Sequence, residues 1–125
     1  MEIISTQNAP QAIGPYSQAI AFKDLIFTSG QIGLNPQGEL QVGIEAQTRQ
    51  VLKNLSEVLK SAGSDLQGVI KTTIFLSDIE DFTLVNEIYE EYFKEHKPAR
   101  STLAVKTLPK NALVEIECIA TKTKI

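Results

Sequence analysis

Arg100 is one of only two arginines among 12 basic residues, and it follows Lys97-Pro98-Ala99 where an extended segment enters a strand. Proline stiffens that approach, and the guanidinium offers a planar fork matched to a carboxylate. A surface ion pair is the alternative reading. Glu115 and Glu117 alternate in the last apolar run and therefore share one strand face. A carboxylate between Leu113 and Ile119 is partly desolvated, which suits a general base or a partner for a cation such as Lys71. Tyr16 follows Gly14-Pro15 on a stiff loop, where it can wall a pocket or join the core. Ser29-Gly30 closes a strand, and Gly30 permits close approach of a ligand.

Other candidates are weaker. Arg49 lies among polar helix neighbours and reads as solvated or salt-bridging. His96, between Glu95 and Lys97, reads as an exposed cation at a helix end. Cys118 alternates with Val114 and Ile116 and reads as buried filler.

Composition narrows the chemistry further. The 125 residues hold one His and one Cys. That is too few for a zinc site within one chain, and one Cys forms no internal disulfide. No metal or cofactor is expected. The net charge of −3 gives no electrostatic footprint for nucleic acid or an anionic membrane. The first ten residues lack the cationic start and apolar run of a signal peptide, so a cytoplasmic protein is expected. Carboxylates, Arg, Lys, Tyr, hydroxyls and backbone groups remain.

The elements that must position these groups read as one domain over residues 1–125. Ser17 to Ser29 predicts two short strands turning at Lys23-Asp24. Gly43 to Ala62 predicts a helix, with Ile44, Val51, Leu52, Leu55, Val58 and Leu59 inward and Gln50, Lys53, Asn54 and Glu57 wet. Gly63 fits the left-handed position past its end. Val69 to Leu76 predicts a strand with Ile70, Thr72, Ile74 and Leu76 toward the helices. A second helix is expected from about Asp81 to His96, then strands at Ser101–Val105 and Leu113–Thr121. Leu108-Pro109-Lys110-Asn111 reads as the hairpin turn between those last two.

This order gives an α+β two-layer sandwich, a mixed sheet of five or six strands with two helices on one face. The other face shows Phe75, Leu113 and Ile119 beside Lys71, Glu115 and Glu117. It is half apolar, which suggests cover by further copies of the chain.

Six segments together resemble the RidA (YjgF-type) family of reactive-intermediate imine deaminases. They are Ile13-Gly14-Pro15-Tyr16-Ser17-Gln18-Ala19, Thr28-Ser29-Gly30-Gln31-Ile32, Val69-Ile70-Lys71-Thr72-Thr73-Ile74-Phe75, Val85-Asn86-Glu87-Ile88-Tyr89, Pro98-Ala99-Arg100-Ser101 and Leu108 through Glu117. The resemblance covers nearly the whole chain. It implies a chorismate-mutase-like fold and a homotrimer with clefts between subunits. It implies hydrolysis of 2-imino acids and their enamine tautomers, such as 2-aminoacrylate, 2-iminopropanoate and 2-iminobutanoate, to 2-oxo acids and ammonia. Pyridoxal-phosphate-dependent Ser/Thr dehydratases release such intermediates.

By the same resemblance, Arg100 binds the substrate carboxylate and Glu115 positions or activates water. Tyr16, Ser29, Gly30 and Asn86 belong to the binding site. Thr102 stands where many relatives carry Cys. A contact from its backbone N–H survives that change, whereas thiol chemistry does not. Some relatives are assigned ligand-sensing, regulatory, chaperone-like or RNA-cleaving roles. Three chains at −3 carry −9, which argues against the last.

Overall fold

A computed structural model describes residues 1–122. Seven strands, β1 (Glu2–Ile4), β2 (Ala19–Phe22), β3 (Leu25–Thr28), β4 (Gln31–Ile32), β5 (Val69–Leu76), β6 (Ala99–Ala104) and β7 (Val114–Thr121), form one sheet. Its order is β1-β2-β3-β7-β5-β6, with β4 also pairing β7. Only β5 and β6 run parallel. Two helices, α1 (Ile44–Ser61) and α2 (Phe82–Phe93), cover one face. The α+β expectation holds. The strand count exceeds it because β1 and β4 are three and two residues long, too short to show a period of two.

The core lies between helices and sheet. Val51, Leu52, Leu55, Val58 and Leu59 of α1 and Val85, Ile88 and Phe93 of α2 meet Ile74, Leu76, Val114, Ile116 and Ala120. Gly63 takes φ 85° beyond α1, a conformation that would strain a residue with a Cβ.

Four expectations are corrected, the last of them at His96. Asn54, read as wet, is fully buried. Its Nδ2 donates to the Leu34 carbonyl at 2.8 Å, and its Oδ1 accepts from Gln50. Val69 and Ile70 exchange faces: a register shift between Val69 and Lys71 turns Ile70 outward and Val69 inward. The segment Leu108–Asn111 is no hairpin turn, because β5 lies between β6 and β7. It forms a short turn on the longer connection that crosses the end of β5.

His96 also departs from its expected role. Helix α2 ends at Phe93, and Lys94 turns the chain with φ 58°. The half-buried His96 ring then donates from Nε2 to the Val69 carbonyl at 2.6 Å, beside the bulge. Arg49 bridges Glu45 and Glu91 at the surface, and Cys118 is buried, both as read.

The second sheet face carries no helix. Ile3, Ile20, Phe27 and Ile119 lie in register across four strands there. Ile3 and Phe27 are exposed, as are Phe22, Leu25 and Leu103.

Candidate functional site

The candidate groups fall into two clusters. The first is built on β6 at the sheet edge. Arg100 pairs in register with Thr72 and Thr102 with Ile74, and both of those partners are buried under the helices. Arg100 therefore reaches toward α2. Its Nη1 donates to Asn86 Oδ1 at 2.6 Å. Its Cζ lies 5.0 Å from the Tyr89 ring centre and 5.5 Å from that of Phe82. A guanidinium on aromatic faces is held by the ring quadrupoles, and the Asn86 bond engages only one of its nitrogens. Tyr89 is itself fixed, since its hydroxyl shares a 2.7 Å hydrogen bond with that of Thr72. Burial pushes the Tyr89 phenol up from its ordinary value, keeping it neutral.

Tyr89 and Phe82 were not singled out as site residues from the sequence. The available signal was spacing: they lie three residues after and four before Asn86, on one helix face.

The second cluster gathers around Glu115 on the opposite sheet face. Glu115 sits opposite Phe75 on β5 and Ile32 on β4. A cavity of about 300 Å³ joins it to Tyr16, Gly30, Gln31 and Lys110. Gly30 makes the close approach possible, because a Cβ there would lie 2.8 Å from Glu115 Cδ. Desolvation, reinforced by Glu117, raises the Glu115 pKa above the ordinary carboxylate value. Among the described residues no cation lies within ion-pair reach of Glu115, and Lys71 does not pair with it.

Helix α1 and the N-terminal loop hold this second cluster. Gln47 Oε1 accepts from the Leu113 N–H at 2.8 Å, and Asn54 ties down the chain after β4. Gln18 is buried, and its side chain binds Thr6 N–H and the Thr6 and Pro10 carbonyls. Ser29 does not line the cavity. Its hydroxyl donates to the Ser17 carbonyl at 2.5 Å, which clamps the Tyr16 loop to the strand end.

Fold and clusters define a class: a two-helix, mixed-sheet α+β protein with an arginine fork on a strand edge and a desolvated glutamate on the reverse face. The chain belongs to the family described as Endoribonuclease L-PSP, also called RidA/YjgF, which it matches over residues 6–122. It is 55% identical to Reactive Intermediate Deaminase A, chloroplastic, of Arabidopsis thaliana over 122 residues. That match covers 96% of this chain and 65% of the plant protein. Identity to the human 2-iminobutanoate/2-iminopropanoate deaminase is 50% over 120 residues, covering 94% of this chain and 88% of the human one. The crystal structure of E. coli TdcF with bound serine superposes with a TM-score of 0.94 at 42% identity, covering 98% of this chain and 100% of that one. Among the described residues no helix is long and apolar enough to cross a membrane.

Proposed function

We propose that this chain is an imine deaminase that hydrolyses small 2-imino acids and their enamine tautomers to 2-oxo acids and ammonia. The observation that carries the reading is the Arg100 fork, pinned by Asn86 and stacked over Tyr89 and Phe82 with N–H groups to spare. Such a fork recognises a carboxylate bidentately. The names of the human and plant relatives supply the reaction class.

The working unit is a homotrimer of single domains, residues 1–125 each, with the open sheet faces turned inward. Association covers the exposed Phe22, Leu25 and Phe27. It also lets Arg100 of one copy meet Glu115, Gly30 and Tyr16 of the partner subunit. The Thr102 N–H and the Gly30 carbonyl fix the imine end, and Ser29 holds the loop that bears Tyr16.

A protonated imine carbon is already electrophilic, so water can attack without a covalent intermediate. Glu115 orients that water and accepts one of its protons as the C–O bond forms. Glu115 returns that proton to the carbinolamine nitrogen, the C–N bond breaks to release ammonia, and the hydroxyl proton passes to Glu115 as the carbonyl forms. A raised carboxylate pKa brings Glu115 closer to the operating pH of a general base. Pyridoxal-phosphate-dependent Ser/Thr dehydratases of the cytoplasm are the proposed source of substrate.

The test couples the purified protein to a threonine dehydratase and follows 2-oxobutanoate. The expected result is faster formation with the protein than without it. No acceleration, with tight binding of 2-oxobutanoate retained, identifies a ligand sensor instead. Salt-dependent RNA cleavage in its place would favour the activity in the family's description.

A further inference from the structure

Arg100 borders two cavities. One, of about 590 Å³, it shares with Thr102 and Phe82, and the deaminase reading seats the substrate there. The other, of about 390 Å³, opens between the last turns of α2 and the segment leading into β6. That volume falls within the roughly 300–1,000 Å³ of small-molecule sites.

The charges along this second cavity are one-sided. Lys94, Lys97 and Arg100 line it against a single carboxylate, Glu90. Nearby Glu91 pairs with Arg49, and Glu95 lies outside the lining. The chain as a whole carries −3, so the excess of cations is local. Among the described residues no ion pair engages any of the three. All three are exposed and therefore within reach of a ligand. The segment that carries the lysines is also fixed. The Lys94 N–H donates to the Glu90 carbonyl at 2.8 Å and the His96 N–H to the Phe93 carbonyl at 3.1 Å. The His96 ring is tied to the Val69 carbonyl at 2.6 Å, and Pro98 restricts φ just before β6. A frame held in this way lowers the entropic cost of binding.

We propose that this cavity binds a phosphate group, as inorganic phosphate or a small phosphomonoester, and that the bound group competes with substrate for Arg100. A phosphomonoester carries a charge of about −1.5 to −2 at pH 7, which suits two lysines and an arginine better than a single carboxylate does. Lysine binds phosphate as a point charge, and arginine binds it through the planar fork. A dianion held by Lys94 and Lys97 draws the guanidinium away from the substrate carboxylate. The binding stands on the cavity alone; the competition rests on the deaminase reading.

The experiment compares the assembled parent with the double variant Lys94→Gln, Lys97→Gln, which leaves Arg100 and Asn86 in place. Calorimetry reads Kd for inorganic phosphate and for glycerol 2-phosphate. The dehydratase-coupled assay reads KM and kcat with each anion, corrected for the dehydratase alone, against sodium chloride at equal ionic strength. In the parent, phosphate should raise the apparent KM with kcat unchanged, and chloride should not. The double variant should bind phosphate about tenfold more weakly and lose the competition to the same extent. Its phosphate-free KM, kcat and Tm should match the parent. Glycerol 2-phosphate binding more tightly than phosphate assigns the site to phosphomonoesters, and the reverse order assigns it to the free anion.

No phosphate binding by the parent overturns the proposal. So does equal phosphate affinity in the double variant, which leaves the anion to Arg100 alone. Phosphate binding that leaves the KM of an active parent unchanged overturns the competition with substrate. An inactive parent whose phosphate affinity still falls in the double variant overturns the deaminase reading and upholds the site.

Discussion

Arg100 and Glu115 lie two strands apart on opposite faces of one sheet. Arg100 shares its row with the buried Thr72 and Cys118, whereas Glu115 shares its row with the outward Phe75 and Leu103. Strand spacing and rise place their Cα atoms roughly 14 Å apart, with the sheet between their side chains. No acid of a few carbons reaches both within one chain.

Mixing two impaired variants tests this division. Co-assembled Arg100→Ala and Glu115→Gln chains should regain activity, because some clefts then draw an intact residue from each parent. Random mixing of equal amounts completes about a quarter of the clefts. Activity in the mixture that stays at the level of the separate variants would place the whole site in one chain.

Arg100→Ala should lower kcat/KM about a hundredfold or more, since two charge-assisted hydrogen bonds are lost. Arg100 is exposed, so Tm should change little. Arg100→Lys should recover only part of the loss, because an ammonium cannot pair bidentately. Steady-state kinetics beside thermal melts separate these effects, and a near-parental Arg100→Ala would remove Arg100 from the site.

Glu115 makes both activity and stability depend on pH. Its folded-state pKa is raised by desolvation and by Glu117. Between the ordinary and raised values the folded chain binds more protons than the unfolded one, so stability falls as pH rises through that window. Glu115→Gln should therefore melt higher than the parent above the window, and the gain should vanish in acid below the ordinary value of about 4.3. The acid limb of kcat/KM should lie above that ordinary value in the parent and disappear in the variant. Melts and pH–rate profiles decide the matter; a variant less stable at neutral pH would contradict it.

Gly30→Ala should reduce activity without unfolding the chain. The added Cβ meets the Glu115 carboxyl, the free end of a flexible side chain that can swing away. The two positions should then be coupled: the double variant Gly30→Ala with Glu115→Gln should be no worse than Glu115→Gln alone. Fully additive losses would show that Gly30 acts elsewhere.

These relationships were legible in the sequence to different degrees. Helices α1 and α2 follow from apolar residues at three- and four-residue spacing, such as Val51, Leu55 and Val58. The faces of β7 follow from strict alternation. The exchange of Val69 and Ile70 does not, because a bulge breaks the period without leaving a Gly or Pro to mark it. Asn54 looks wet by type and is dry because the chain after β4 folds over it. Arg100 and Glu115 stand out by residue type and position, and the family resemblance supplies their roles. Their opposite faces depend on β6 joining the sheet beside β5, a pairing between segments distant in sequence.

The in-register row of Ile3, Ile20, Phe27 and Ile119 has a consequence for dosage. In the proposed trimer this stripe is covered, and Arg100 of one copy meets Glu115 of another only on assembly. On that proposal activity per chain depends on abundance, and output should climb more steeply than protein level until assembly saturates. Serial dilution of the pure protein should reveal that threshold as a fall in turnover per chain. Turnover per chain that stays constant on dilution would contradict a site shared between copies.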